Sequence, residues 1–329
     1  MFFDMDQTME DVRHAIALLH SELPCNEFRK YSGSFLFTTE NQEGIEKVLD
    51  YKNKTALVPA SSGDQYLGAV YYDAEFVRLF DVNRMTFYVT YLKIAAVRVL
   101  DYRKFISFFV PTIKNDMYNH SFWNLSTLKR LLPSMPGNVG YFWDSVMYEA
   151  NRCGFGNLVS IEDYRNKLSL ITRGMPFYAN EREYYKLQAK LRRMDFPNFT
   201  ESDILKLGDY INTKHDVVYL SNIVSCLVYR KLTSYFMPSC YNEDITERQV
   251  VRDVLTSVLP LIKDDGIILL DYRPNRDKSV EDWLYIEDAF DVTEVPSKYP
   301  PTGEYNKYAH TDLVLTFRPK KDRDILKHL

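Results

Sequence analysis

Several short segments of the chain place oxygen-bearing side chains where a strand would give way to a turn. The first is Val58-Pro59-Ala60-Ser61-Ser62-Gly63-Asp64-Gln65, where the apolar run Thr55 to Ala60 meets a small-residue turn before helical periodicity resumes at Tyr66. A glycine there lets a ligand approach the backbone, and the free N–H groups of a helix start favour an anion or carboxylate. Eighteen residues beyond Gly63, Asp81 ends the next apolar run, Phe76 to Phe80. A carboxylate at that place can accept hydrogen bonds from both hydroxyls of a ribose. Asp203 follows a third run and Ser221-Asn222 a fourth. Taken singly, an Asp at a strand end is more often a helix cap, and Ser-Asn is a common capping pair. Their succession in chain order points to a nucleotide crevice at the carboxyl edge of a sheet. One glycine stands where a dinucleotide fingerprint has three, so a pyrophosphate is not expected.

Such a crevice needs parallel strands. Apolar runs at Thr55–Ala60, Phe76–Phe80, Met194–Phe199, Asp216–Leu220, Gly266–Leu270 and Thr311–Phe317 predict at least six strands, with helical patterns between them. Parallel neighbours require crossovers, and the helices of those crossovers cover both faces. The chain therefore reads as α/β: a Rossmann-like, mostly parallel sheet with an N-terminal helical segment and a helical insertion. Val12, Ile16, Leu19 and Leu23 predict a helix over Glu10–Leu23 that stops before Pro24, and a short helix is expected over about Gly44–Leu49. Between Asp101 and Lys190 the strand signals stop and segments rich in Phe, Tyr and Trp take over. The expected organisation is residues 1–50 as an N-terminal helical segment with a ligand-closing loop, 51–100 as the first half of the Rossmann-like domain, 101–190 as a helical insertion capping the acceptor, and 191–329 as the second half.

Composition excludes several classes. With 329 residues, 46% of them apolar, the chain can bury a sizeable core. A formal net charge of −4 gives no bias towards a phosphate backbone, so no nucleic-acid partner is expected. Cys25, Cys153, Cys226 and Cys240 form no CxxC pair, and the six histidines show no HxxxH or HxH spacing, so no metal site is expected. There is no GxSxG elbow and no GxxxxGK[ST] loop. No apolar run approaches the ~18 residues of a membrane span, and the start lacks a basic then apolar leader pattern, so a soluble cytoplasmic protein is expected. Basic clusters at Lys190–Arg193 and Arg318–Lys321 read as solvated faces, with peripheral membrane contact as the alternative. The 15% aromatic content fills a core more often than it lines a cavity.

The stretch ALVPASSGDQYLGAVYYDAEFVRLFDVNRMTFYVTYLKIAAVRVLDYRKFISFF resembles the core of proteins related to the S-adenosylmethionine:diacylglycerol 3-amino-3-carboxypropyl transferase of betaine-lipid synthesis. The resemblance covers roughly Tyr31 to Phe109, and more weakly DVVYLSNI and GIILLDYRP. It implies a class I methyltransferase-like fold with S-adenosylmethionine as cofactor. On this resemblance Ser61, Ser62, Gly63, Asp64 and Gln65 wrap the methionine part and the ribose, and Asp81 binds the ribose hydroxyls. Val82 and Asn83 lie beside the adenine, Asp203 and Ile204 hold its edge, and Ser221 and Asn222 floor the crevice. Thr39 and Glu40, in the loop Thr38–Asn41, close over the ligand; an N-cap for the following helix explains that loop equally well. Tyr219, Asp271, Tyr272 and Arg273 stand beside the crevice as candidate catalytic groups.

The implied function is transfer of an aminocarboxypropyl group to an unidentified small-molecule or lipid-like acceptor. Methyl transfer is the first alternative, because the sulfonium yields whichever carbon is presented in line. A non-catalytic S-adenosylmethionine- or nucleotide-binding protein is the second, and an NAD-dependent oxidoreductase ranks third. The chain is shorter than a full-size lipid-synthesising enzyme and acidic, so diacylglycerol is not the expected acceptor.

Overall fold

A computed structural model describes residues 4–38, 40–110, 124–153, 158–160, 174–221, 223, 227, 247–273, 290–298 and 311–320. The chain divides into two compact units. One comprises residues 40–59, 68–80 and 198–329 and carries the main sheet; the other comprises residues 1–39, 60–67 and 81–197 and is mostly helical. The residues expected as an insertion, 101–190, fall in the helical unit together with 1–39, whereas 40–50 of the expected N-terminal segment fall in the sheet-bearing unit.

The main sheet holds β2 (Thr55–Pro59), β3 (Phe76–Asp81), β5 (Asn198–Glu201), β6 (His215–Tyr219), β7 (Ile262–Arg273), β8 (Phe290–Lys298) and β9 (Thr311–Pro319). Their order across the sheet is β5-β3-β2-β6-β7-β9-β8. β2 pairs in parallel with β3 and with β6, and β6 in parallel with β7, while β9 runs antiparallel to β7 and β8. The order reverses between β2 and β6, which is the topological switch point where α/β sheets bind ligands. This is an α/β, Rossmann-like arrangement with a mostly parallel sheet. The core of this unit is built on Leu57, Val218, Leu220, Val254, Ile268 and Phe317, all essentially inaccessible. The continuous apolar character of β2, β6 and β7 follows from burial on both faces.

Two expectations shift here. The run Met194–Phe199 yields a strand only from Asn198, because Pro197 has no N–H to donate to a ladder. β8 escapes the sequence reading altogether: it carries Pro296, which a sheet tolerates at its edge, and β8 is an edge strand.

In the helical unit the first helix runs Met5–Leu19 rather than Glu10–Leu23. Asp4 caps its start, accepting from the N–H groups of Asp6 and Gln7. Its end is a Schellman motif: Ser21 adopts a left-handed φ of 59°, with Ser21 N–H on the Leu18 carbonyl and Glu22 N–H on that of Ala17. Glycine usually fills that left-handed position, so a serine there hides the stop from sequence reading. Leu23 still packs into the core beyond the helix end. Helix Met5–Leu19 packs against helix Gly137–Cys153, and helix Arg84–Val99 contacts the latter and helix Glu181–Leu191. A two-residue parallel ladder, β1 (Ser34–Phe35) with β4 (Val159–Ser160), joins distant parts of this unit.

A buried carboxylate ties the first helix down. Asp11 takes both prongs of the Arg84 guanidinium and the hydroxyls of Tyr31 and Tyr88. Burial and the adjacent Asp11 charge push both tyrosine hydroxyls far above their ordinary pKa, so they remain donors.

At the opposite end of the sheet from the turns, Asp216 opens β6 and accepts from Thr55 N–H at 2.8 Å, Thr55 Oγ1 at 2.7 Å and Lys263 Nζ at 2.8 Å. Partial burial pushes its carboxyl up, but the Lys263 ammonium and the two Thr55 donors outweigh this and hold it at about 2. The native state therefore keeps Asp216 ionised where the unfolded chain would protonate it, and stability is lost as pH falls from about 4 to 2. Replacing Asp216 by Asn is expected to remove that part of the acid limb, on the order of 1–2 kcal/mol after solvent screening. Urea unfolding followed against pH measures it, and an unchanged acid limb in the variant would refute the assignment.

Candidate functional site

The turn after β2 is held from within the helical unit. Gly63 has φ of +83°, and a Cβ at that position would lie 3.2–3.3 Å from Thr90 of helix Arg84–Val99. A side chain is excluded there twice over, by backbone conformation and by close helix approach. Ser61 also lies in the left-handed region, at φ 44°. Asp64, fully buried at the first position of helix Asp64–Tyr71, organises the rest. Its Oδ1 accepts from Lys93 Nζ at 2.9 Å and from Tyr178 OH at 2.9 Å. Its Oδ2 accepts from Thr38 N–H at 2.7 Å and from Ser62 Oγ at 3.0 Å.

Lys93 is itself fully buried, bonds the Leu36 carbonyl and lies 4.5 Å from the centre of the Phe37 ring. Burial lowers its pKa despite the attraction of Asp64. Gln65 donates to Thr38 Oγ1 at 3.3 Å. Ser62, Asp64 and Gln65, three of the five turn residues expected to touch a ligand, thus have buried side chains that bond one another and their neighbours. The main chain is engaged as well: Ser61 N–H donates to Asp81 and its carbonyl accepts from Ser34 Oγ, while Gly63 N–H bonds the Ala60 carbonyl and its carbonyl accepts from Leu67 N–H. The aromatic rings here are core: Phe37, Phe105, Phe109 and Tyr178 lie with centroids about 5–6.5 Å apart and are all buried.

Asp81 ends β3 beside that turn. Its Oδ2 accepts from Ser61 N–H at 3.0 Å and its Oδ1 from Asn83 N–H at 2.9 Å. Burial raises its carboxyl pKa, and these N–H groups oppose the rise. The Thr86 side chain and the Val82 N–H also hydrogen-bond the carboxylate and add to that opposition. Val82 is half-buried next to it. Asn83 proves to be a helix cap: its Oδ1 accepts from Met85 N–H at 2.9 Å, and its amide donates to Ser32. The amide that the resemblance places against adenine is thereby engaged within the protein.

The sheet-bearing unit carries its own polar cluster at the end of β6. Glu40, buried, accepts through its two oxygens from Tyr219 OH and from Ser221 Oγ, and Gln42 Nε2 lies 3.4 Å from the Tyr219 oxygen. Ser221 holds a left-handed φ of 57°, a strained conformation for serine of the kind found at functional strand ends. Tyr219 is the donor of its pair with Glu40, and burial together with Glu40 pushes its pKa well above the ordinary value. The Tyr219 hydroxyl is thus held protonated as the donor to Glu40. Tyr51, also buried and close enough to feel the Glu40 charge, leaves its hydroxyl without a hydrogen-bond partner.

Asp203 caps the short helix at Ile204–Lys206 by accepting from Leu205 N–H, and Ile204 belongs to the apolar core. Asp271, Tyr272 and Arg273 are the last residues of β7, opposite Leu315, Val314 and Leu313, and their side chains lie outside the described part. Thr39 and Asn222 also lie outside the described residues. Sequence reading did not find Lys93, Tyr178 or Tyr51. A lysine inside the apolar stretch YLKIAAV is the one signal of the three, since a buried ammonium demands a buried acceptor.

No family model matches the chain, and no curated protein matches it. Among solved structures it is similar to the rRNA methyltransferase aviRa from Streptomyces viridochromogenes, with 11% identity and a TM-score of 0.40 over 84% of this chain and 83% of that one. It is similar also to a putative RNA methyltransferase, PH1948, from Pyrococcus horikoshii, with 10% identity and a TM-score of 0.33 over 95% and 98% of the two chains. A third is the glycopeptide N-methyltransferase MtfA, with 9% identity and a TM-score of 0.30 over 96% and 86%.

The Asp64–Lys93 pair sets a measurable expectation. Lys93→Met leaves a buried carboxylate without its counter-charge and is expected to cost about 3–5 kcal/mol in urea unfolding. The double variant Lys93→Met/Asp64→Asn removes both charges and should recover part of that loss; strict additivity would mean that the two groups do not interact.

Proposed function

We propose that the protein is an S-adenosylmethionine-dependent transferase, with methyl transfer ahead of 3-amino-3-carboxypropyl transfer. The observation that carries the reading is the joining of a left-handed glycine turn after β2 to an Asp at the end of β3, in a sheet whose order reverses between β2 and β6. The fit with this cofactor is chemical. Asp81 sets a carboxylate at the end of β3 for the ribose hydroxyls, and Gly63 lacks the Cβ that would crowd the turn.

The bound sulfonium would supply an activated carbon, so the protein's task is chiefly orientation. Asp81 would fix the ribose, and the buried bonds of Asp64 would keep the turn at the right height. Aminocarboxypropyl transfer rests on the resemblance of the region from about Tyr31 to Phe109, and more weakly of DVVYLSNI and GIILLDYRP. We place the acceptor among small or lipid-like molecules and the protein in the cytoplasm; no described helix is long and apolar enough to cross a membrane.

Calorimetric titration with S-adenosylmethionine is expected to show micromolar binding, none to NAD, and at least ~10-fold weaker binding in Asp81→Ala, as loss of hydrogen bonds to a charged acceptor implies. A melting curve of the variant separates lost affinity from lost fold. Turnover with an acceptor pool then discriminates the reactions: S-adenosylhomocysteine marks methyl transfer and 5′-methylthioadenosine marks aminocarboxypropyl transfer. No binding by folded wild-type protein would overturn the proposal.

A further inference from the structure

A second chemistry lies in the helical unit, away from the turn in sequence and built from residues the proposed transfer does not use. The C-terminal turns of helix Gly137–Cys153 present Glu149 and Cys153 four residues apart, which puts them on one helix face. His20, the residue that closes helix Met5–Leu19, meets them there because the two helices pack together. His20 Nε2 lies 2.7 Å from Glu149 Oε1, Cys153 Sγ lies 3.3 Å from the same oxygen, and Cys153 Sγ lies 3.9 Å from His20 Nδ1. One ligand atom from each residue falls within 4.8 Å of the other two.

We propose that His20, Glu149 and Cys153 form a binding site for a divalent cation of zinc-like chemistry. Zinc takes thiolate sulfur at ~2.3 Å, imidazole nitrogen at ~2.0–2.1 Å and carboxylate oxygen at ~2.0–2.2 Å in a tetrahedron, which sets donor atoms roughly 3.3–3.7 Å apart. One donor atom from each residue lies within 4.8 Å of the other two, so side-chain rotations that turn a single imidazole nitrogen towards both partners bring them to that spacing. Thiolate, carboxylate and neutral imidazole together carry two negative charges, which neutralise a divalent ion. The mixed sulfur, nitrogen and oxygen set suits zinc rather than magnesium or calcium, which take oxygen ligands. His20 and Glu149 are half-buried and hold the ligand geometry, while Cys153 is exposed, so the fourth position opens to water.

Arg152 is the competitor, since its guanidinium also bonds Glu149 Oε1. That pair is largely solvent-exposed and worth little, so an incoming cation can displace it. Histidine spacing in the sequence gave no hint of this site, because its single histidine is 129 residues from Glu149 and is brought there by helix packing.

The test uses the full chain, stripped of metal and titrated with Co²⁺, then with Zn²⁺ in competition. One equivalent is expected to bind, with a thiolate-to-cobalt charge-transfer band and ligand-field bands of tetrahedral intensity. Cys153→Ser should abolish the charge-transfer band, although Cys25, Cys226 and Cys240 remain in that variant. His20→Gln and Glu149→Gln should each weaken binding by at least ~10-fold, while Arg152→Gln should leave it unchanged or tighter. The melting temperature should rise with Zn²⁺ in wild type and not in Cys153→Ser. Absence of one-equivalent binding, or a charge-transfer band that survives Cys153→Ser, would overturn the proposal. Because no arm of the test involves S-adenosylmethionine, its outcome is independent of the function proposed above.

Discussion

The geometry of the turn after β2 depends on one buried carboxylate. Asp64 is ionisable, wholly removed from solvent and placed at the start of a helix, where an isolated charge would be strongly unfavourable. It is tolerated because an ammonium, a phenol, a serine hydroxyl and a backbone N–H all converge on its two oxygens. Those donors come from the segment before β2, from the turn itself, from helix Arg84–Val99 and from the residues around Tyr178. Satisfying the charge therefore fixes four segments against one another. The helix start and the turn at Ser61–Gly63 inherit their positions from it. Asp11 does the same for the N-terminal helix, with a guanidinium in place of the ammonium.

This arrangement separates two roles that a sequence motif merges. In the stretch SSGDQ the polar side chains look like ligand groups, yet those of Ser62, Asp64 and Gln65 are buried and hold the turn together. Asp81 has a structural role too, since its oxygens anchor the backbone of Ser61 and Asn83. The polar cluster on Glu40 shows a similar economy: a single carboxylate positions the hydroxyl at the last residue of β6 and the strained serine just beyond it.

The parallel core was legible in the sequence because β2, β3, β6 and β7 are buried runs with no competing reading. The glycine turn and the Asp at the end of β3 were legible for the same reason, their meaning being set by local backbone. What was not legible is set by partners distant in the chain. Ser21 replaces the glycine that would have marked a helix end, and Pro296 in β8 argues against a strand until the edge position is known. Asp64 was recognised as an important residue type, but its role follows from Thr38 and Tyr178, 26 and 114 residues away. Periodicity carries no information about such encounters.

The same separation has a bearing on how the molecule comes into being. At a ribosomal pace of about 5–20 residues per second, the 114 residues between Asp64 and Tyr178 correspond to roughly 6–23 s of synthesis. During that interval β2, β3 and the glycine turn already exist as nascent chain, but the carboxylate at the head of the helix lacks its phenolic donor. The turn can become fully ordered only after the long helical stretch that follows it has been made, so the part of the protein whose sequence is most distinctive is among the last to reach its final shape.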